Sequence, residues 1–303
     1  MSKILFAGSS DPKTAKRLAR KAKIKFGKTL IKKFSCGETY LELGEEVKGN
    51  TVYIYQTSFE KPDEIIMETI LMVNAAKEGK AKKVILISPY LLYARQDKKT
   101  SSKRIEPISS KVLARLYKAS GVDKILTFHI HSRKALSFYN IEILNLKLFN
   151  SFAREIKKEI KKKSDFVVVA PDEGALENAQ KLAEFLGVSN VCFFEKKRED
   201  PKKKTNKISS SRFFGNVRNK NVILADDMVD TGGTIVHIKE KLNDLGAKKV
   251  MLVFVHAVFS GEGRSRIENG GFCNIFFSNS IPLKTKFKNA KIIDIVPEIS
   301  KYL

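Results

Sequence analysis

Residues 222–235 read VILADDMVDTGGTI. An apolar, β-branched run ends in adjacent carboxylates, Asp226 and Asp227. A third acid, Asp230, precedes Thr231-Gly232-Gly233-Thr234, where a helix-period segment begins. Acids at the carboxyl edge of a strand can hold sugar hydroxyls, because an ionised carboxylate only accepts hydrogen bonds. Glycines and threonines at a helix N-terminus offer N–H and hydroxyl groups to a phosphate, at the positive end of the helix dipole. One short loop is therefore suited to gripping a sugar phosphate at both ends. The same residue types also build an ordinary capped turn, so the rest of the chain has to decide.

Working outward, short apolar runs recur, each closed by a turn signal and most followed by a helix-period segment. Strands are expected at Ile4–Ala7, Thr51–Gln56, Lys83–Ser88, Lys124–His129, Phe166–Ala170, Val191–Phe194, Asn221–Ala225, Val250–His256 and Asn274–Phe277. Helices are expected near Lys13–Ala22, Pro62–Glu78, Ile108–Ala119, Phe149–Lys162, Glu173–Leu186 and Thr234–Leu245. This alternation points to an α/β fold with mainly parallel sheets flanked by helices. Lys83–Ser88 and Phe166–Ala170 read apolar on both faces, as central parallel strands do. The basic amphipathic stretch Phe149–Lys163 marks a seam between two halves, residues 1–147 and 148–303. The tail 292–303 returns to an apolar pattern suited to packing back on the N-terminal half. Lys197–Ser211, polar and charged with Pro201 and three serines in a row, reads as a mobile loop.

The 303 residues are 43% hydrophobic and 30% charged, which excludes a disordered or collagen-like chain. No apolar run approaches the roughly 20 residues of a membrane span. The start MSKILFAGSS passes straight into a strand and a turn, without a signal-peptide pattern. Cys36, Cys192 and Cys273 are far apart, which suggests neither a disulfide framework nor a zinc site. A cytoplasmic protein is expected. With 57 basic and 33 acidic residues the net charge is +24, which favours anionic partners. The basic runs carry no interleaved aromatics for base stacking and no nucleic-acid motif accompanies them, so no nucleic-acid or membrane partner is expected.

A second informative string is Ile87–Asp97, ISPYLLYARQD. Arg95, Gln96 and Asp97 set a cationic fork, an amide and an acceptor in a row, a set suited to a nucleotide. Tyr90 and Tyr93 read as core or wall aromatics. Alone, such a triplet also starts an ordinary exposed helix.

Taken together, D-D-x-x-D-T-G-G-T resembles the ribose-phosphate loop of type I phosphoribosyltransferases, and the chain as a whole resembles the ribose-phosphate diphosphokinase family. That resemblance implies two tandem phosphoribosyltransferase type I-like domains. It extends along nearly the whole sequence. Phe34-Ser35-Cys36-Gly37-Glu38 is similar to the family's F-S-D-G-E loop, which implies that Phe34 stacks on adenine in a neighbouring subunit and Glu38 accepts from its amino group. Cys36 replaces the usual Asp or Asn. Arg95, Gln96 and Asp97 match the family's ATP-contacting string, and Arg104 fits a further phosphate contact. His131 matches the family's ATP- and metal-contacting histidine, while His129 stands where the family has Asp. Ala170–Gly174 resembles the pyrophosphate loop, with Asp172 toward Mg²⁺, and Ala175 and Asn178 bring it closer to archaeal-type members. Lys196 and Arg198 match the catalytic K-x-R.

The resemblance implies transfer of the β,γ-diphosphoryl group of ATP to the C1 hydroxyl of ribose 5-phosphate, releasing AMP, with Mg²⁺ as cofactor. Asp226, Asp227, Asp230, Thr231, Gly232, Gly233 and Thr234 would hold ribose 5-phosphate, and Lys196 and Arg198 would meet the reacting phosphates. A homo-oligomer, at least a dimer, follows if the Phe34 loop serves a neighbour. Two other classes stay open: a non-catalytic associated subunit, kept alive by Cys36 and His129, and a simple phosphoribosyltransferase, for which the first half has no role.

Overall fold

The computed structural model describes residues 2–57, 60–101, 103–160, 162–196 and 211–303, with Lys196 and Ser211 described at the backbone. The expected mobile loop, apart from Ser211, and with it Arg198, lies outside the described residues. The chain divides into two compact units. The first comprises 1–147, 280–282 and 294–303, the second 148–279 and 283–293.

The first unit runs β1 (Lys3–Ala7), α1 (Pro12–Ala22), β2 (Lys25–Phe26), β3 (Thr29–Lys33), β4 (Thr39–Leu43), β5 (Thr51–Tyr55), α2 (Pro62–Glu78), β6 (Lys83–Ile87), α3 (Ser109–Ser120), β7 (Lys124–Phe128), α4 (Arg133–Ser137) and β8 (Glu142–Leu146). Among the described residues its main sheet has the order β2-β1-β5-β6-β7-β8, parallel throughout. The interior strands are buried after their first residue, as helices on both faces require. Helix α1 begins where Asp11 accepts a hydrogen bond from the Thr14 amide (3.0 Å) and Pro12 presets the first turn. Strands β3 and β4 pair as an antiparallel hairpin apart from the main sheet. The sequence pattern did not reveal it, because its residues alternate between half-buried and exposed instead of forming an apolar run.

Chain order in this sheet reverses between β1 and β5, the topology that opens a crevice at the strands' carboxyl ends. Here the protein's own side chains fill it. Glu68 on α2 is 5% exposed and accepts from the Ser9 amide (2.6 Å), the Ser9 hydroxyl (2.7 Å) and the Gln56 amide nitrogen (2.7 Å). The Gln56 amide oxygen takes the Ser10 amide (3.1 Å) and hydroxyl, and Ser10 Oγ in turn accepts from the Thr57 amide (3.0 Å). A Cβ on Gly8 would stand 2.5 Å from the Gln56 carboxamide, so glycine is what lets strand and amide approach.

The second unit runs α5 (Phe149–Ile156), β9 (Phe166–Ala170), α6 (Leu176–Leu186), β10 (Val191–Lys196), β11 (Ser211–Phe214), β12 (Asn221–Val229), α7 (Gly233–Asp244), β13 (Lys249–Ala257), α8 (Gly263–Glu268), β14 (Ile275–Ser278) and β15 (Ala290–Ile293). Its sheet has the order β11-β10-β9-β12-β13-β14-β15, with β10–β11 antiparallel and the remaining pairs parallel. Without β11 this repeats the order of the first unit, including the reversal, now between β9 and β12. A core of Val222, Leu224, Leu252, Phe254, Ile275 and Phe277 on the sheet meets Ile235, Ile238 and Leu242 of α7. After β15 the chain returns to the first unit through α9 (Val296–Ile299), which packs on α1, and Arg17 pairs with Asp294.

Several expected boundaries change. The expected helix Phe149–Lys162 stops at Ile156, where turns with shorter-range hydrogen bonds take over the lysine run. Glu173–Leu186 begins as a single 3₁₀ turn, and α6 proper starts at Leu176. Strand β10 continues to Lys196, two residues beyond its apolar run, because β11 pairs with it as far as Lys196↔Ser211. Tyr93 is 40% exposed with φ +56, so it is a surface turn residue, whereas Tyr90 is buried.

Replacing Glu68 by Ala should cost the protein about 1–3 kcal/mol, since the buried Gln56 amide nitrogen would be left without its acceptor while exposed Ser9 turns to water. Urea unfolding measures this; an unchanged midpoint would show that water takes the carboxylate's place.

Candidate active site

Strand β12 outruns its neighbour. Its pairing with β9 ends at Leu224↔Val169, while pairing with β13 continues to Val229↔Ala257. The carboxylates therefore do not follow the strand, as the apolar run suggested, but lie within it. One edge of the backbone is held by β13, and the other faces the crevice left where β9 turns into Pro171 and Asp172. Asp226 and Asp227 are half-buried. The Asp227 amide donates to Asp226 Oδ1 at 2.8 Å. Burial, then the adjoining Asp227 carboxylate and its hydrogen bond, hold the Asp226 carboxyl well above the usual carboxylate range; Asp172 pushes in the same direction. Asp172 also caps the 3₁₀ turn that follows β9, accepting from the Ala175 amide at 3.2 Å. The structure thus brings Asp172, Asp226 and Asp227 to one crevice.

Beyond β12, Asp230–Thr234 wrap into the first turn of α7. Gly232, the residue before the helix, has φ +76, a conformation glycine adopts without penalty. Thr231, Gly233 and Thr234 are exposed at the helix N-terminus. The loop lies on α8, and this support was not read from the sequence. The ideal Cβ of Gly263 would fall 2.0 Å from the Asp230 carbonyl oxygen, and the Arg266 guanidinium donates to the Thr231 carbonyl at 3.2 Å. Nothing in the string Glu262–Ile267 signals this role, because the contact joins segments more than thirty residues apart. Lys196 ends β10, one strand from β9.

In the first unit the expected nucleotide residues follow β6 and β7. Arg95 is exposed, and Gln96 and Asp97 are half-buried. Gln96 is partly committed to structure: its side-chain oxygen accepts from Ser109 Oγ and its carbonyl from the Ser110 amide (3.2 Å), at the start of α3. Asp97 accepts from Ser132 Oγ at 2.5 Å, which ties the Arg95–Asp97 turn to the loop that carries the exposed His131. His129 is 2% exposed with φ +37, and its amide donates to the Leu146 carbonyl at 3.1 Å. Arg104 is exposed, 3.9 Å from Glu106. Phe34–Glu38 form the tip of the β3–β4 hairpin, closed by the Phe34 amide on the Glu38 carbonyl (2.8 Å). Phe34 is 54% exposed, with its ring edge-on to Tyr40 at 5.9 Å. Cys36 and Glu38 are exposed beside it. Among the described residues no three His, Cys, Asp or Glu side chains form a metal cage, and no helix is long and apolar enough to cross a membrane.

A parallel sheet with a chain reversal, paired acids on the strand beside it and a glycine–threonine turn into a helix define the second unit as a phosphoribosyltransferase-type domain. Residues 140–285 match the phosphoribosyl transferase domain, and residues 3–121 match the N-terminal domain of ribose phosphate pyrophosphokinase. The chain belongs to the ribose-phosphate pyrophosphokinase family. The crystal structure of phosphoribosylpyrophosphate synthetase from Mycobacterium smegmatis is similar over 99% of this chain and 97% of that one, at 30% identity and a TM-score of 0.90. A purine phosphoribosyltransferase from Pyrococcus horikoshii aligns over 48% of this chain and 78% of its own at 17% identity (TM-score 0.29). An adenine phosphoribosyltransferase aligns over 43% and 76% at 24% identity (TM-score 0.33).

A raised carboxyl pKa means that ionising Asp226 opposes folding, so stability falls as pH rises from the ordinary aspartate range through the folded value. Asp226→Asn removes that penalty. It should melt a few degrees above wild type near about pH 8, with the difference vanishing toward about pH 4. Melting curves across this range test it, and a pH-independent difference would contradict it.

Proposed function

We propose that the protein makes 5-phosphoribosyl 1-pyrophosphate from ATP and ribose 5-phosphate, with release of AMP. The observation that carries this reading is the Asp226–Thr234 loop on the overrunning end of β12, in a chain whose full length matches the family's architecture. Asp226 and Asp227 accept hydrogen bonds from the ribose hydroxyls, and Asp230–Thr234 take the 5-phosphate on α7's N–H groups and the threonine hydroxyls. The sugar's C1 hydroxyl attacks the β-phosphorus in line and AMP leaves. Little covalent work falls to the protein in such a transfer, so positioning and placed charge do most of it. Lys196 and Arg198 supply cations where charge spreads over the transferred group. Phe34 and Glu38 receive the adenine of a neighbouring subunit's ATP, which makes the protein a homo-oligomer. Arg95, Gln96, Asp97 and His131 bind the nucleotide.

The carboxylates fit Mg²⁺. It takes hard oxygen donors, one or two carboxylates plus substrate phosphates, and a divalent cation relieves both the burial cost and the repulsion from Asp227 that raise the Asp226 pKa. Asp172 and His131 would hold it, with Asp226 and Asp227 beside the sugar. When bound, it neutralises phosphate oxygens during transfer. Ala175 and Asn178 in the pyrophosphate loop support a kinship with archaeal-type members, and the activity would feed nucleotide synthesis.

The test is AMP formation by the purified protein with Mg-ATP, with and without ribose 5-phosphate. Sugar-dependent AMP matched by an equal yield of activated ribose is expected. Binding of both substrates without AMP would instead favour a non-catalytic associated subunit, with buried His129 the first residue to revert to Asp. Lys196→Ala should lower kcat by about 10²–10⁴ with a smaller change in KM, as a contact made mainly in the transition state predicts. An unchanged kcat would remove Lys196 from catalysis.

A further inference from the structure

The Asp230–Thr234 loop is held by a residue outside it. Arg266, on α8, donates through Nη1 to the Thr231 carbonyl at 3.2 Å and through Nη2 to Glu262 at 2.8 Å. Its Nη1 also lies 4.0 Å from the point where a side chain on Gly233 would begin. The guanidinium thus spans the outside of the Thr231–Gly233 turn, and its fork geometry satisfies two acceptors at once.

The peptide joining Thr231 to Gly232 is trans, as is every peptide among the described residues, so its C=O and N–H point in opposite directions. Rotating that peptide by half a turn changes only ψ of Thr231 and φ of Gly232. Gly232 tolerates either sign of φ and stands at +76. Nothing in its own sterics therefore prevents the flip. In the flipped state a carbonyl oxygen would take the place of the Gly232 N–H. At an anion site that exchanges a donor for an acceptor, which repels phosphate.

We infer that Arg266 is the positioning residue of the sugar-phosphate site: it latches the Thr231 carbonyl outward and so holds the Gly232 N–H in the orientation opposite to itself. The inference rests on the assignment of Asp230–Thr234 to the 5-phosphate of ribose 5-phosphate. The rest of α8 supplies the platform. Gly263 lies under the Asp230 carbonyl so closely that no side chain fits, and Ile267, fully buried, sits 3.3 Å from where a Gly232 side chain would start. Those contacts seat the loop. None of them is a hydrogen bond to the Thr231 carbonyl, which is the contact that the guanidinium makes. The first α7 bond, from the Val236 amide to the Gly232 carbonyl (3.1 Å), is the same in either state, so the helix does not select between them.

The experiment compares wild type with Arg266→Met and Arg266→Lys. For each, KM for ribose 5-phosphate, KM for ATP and kcat are measured, together with direct titration of ribose 5-phosphate and backbone amide exchange over residues 226–236. Arg266→Met should raise KM and the dissociation constant for ribose 5-phosphate about tenfold or more, with KM for ATP and kcat changed less than about threefold, as loss of ground-state positioning at one substrate predicts. Its 226–236 amides should exchange faster. Arg266→Lys, which still reaches the carbonyl with a charged donor, should recover most of the loss. The inference is overturned if Arg266→Met keeps the wild-type KM for ribose 5-phosphate. It is also overturned if both constants and the melting temperature deteriorate together in both variants, the pattern of a general structural brace. Wild-type protein that fails to bind ribose 5-phosphate would instead overturn the assignment of the loop.

Discussion

One mismatch in strand length organises the second half of the molecule. Because β9 stops pairing at Val169 while β12 continues along β13 to Val229, a stretch of strand carries backbone and side chains into a crevice with a covalent and hydrogen-bonded support on one side only. The cost of setting two adjacent carboxylates there is visible in the raised pKa of Asp226. Such a site stays stable because apolar contacts behind it, Phe254 and Phe277 on the sheet and Ile235 on α7, are fully formed.

The first unit shows what the same topology does without that mismatch. There β1 and β5 pair to their ends, through Ala7↔Tyr55. The reversal point is closed by Glu68, Gln56, Ser9 and Ser10, an internal carboxylate with its donors already in place. Two sheets of matching strand order thus diverge in chemistry at the corresponding place. One closes on an internal carboxylate, and the other sets adjacent carboxylates beside an exposed helix start. The first unit instead presents groups on turns elsewhere: the hairpin tip with Phe34, and the Arg95–Asp97 turn stitched to the His131 loop through Ser132. Family membership, carried by both halves, makes this division of labour intelligible as one enzyme.

How much of this was legible beforehand depended on the kind of signal. The parallel α/β class could be read because buried parallel strands are uninterrupted apolar runs, and residues 222–235 stood out because a turn able to hold phosphate needs particular residue types. The hairpin β3–β4 and the edge strands β2, β8, β11 and β15 were not legible, since partly exposed strands carry mixed residues. The short helices α4, α8 and α9, of four to six residues, were missed because fewer than two turns give no repeating apolar stripe. Strand ends were misplaced where pairing outlasts hydrophobicity, as at Asp226–Val229 and at Glu195–Lys196.

The residue types alone mark which groups are chemically able to act: the acids, the glycine–threonine turn and the basic pair near residue 196, with the family they resemble. How those groups are held depends on long-range packing. Gly263 beneath Asp230, Arg266 on the Thr231 carbonyl, Asp172 within electrostatic reach of Asp226 and Ser132 on Asp97 all join segments tens of residues apart. A local pattern records the propensities of neighbours along the chain. Contacts of this range are set by how strands and helices meet once the core has formed, and no single string carries them.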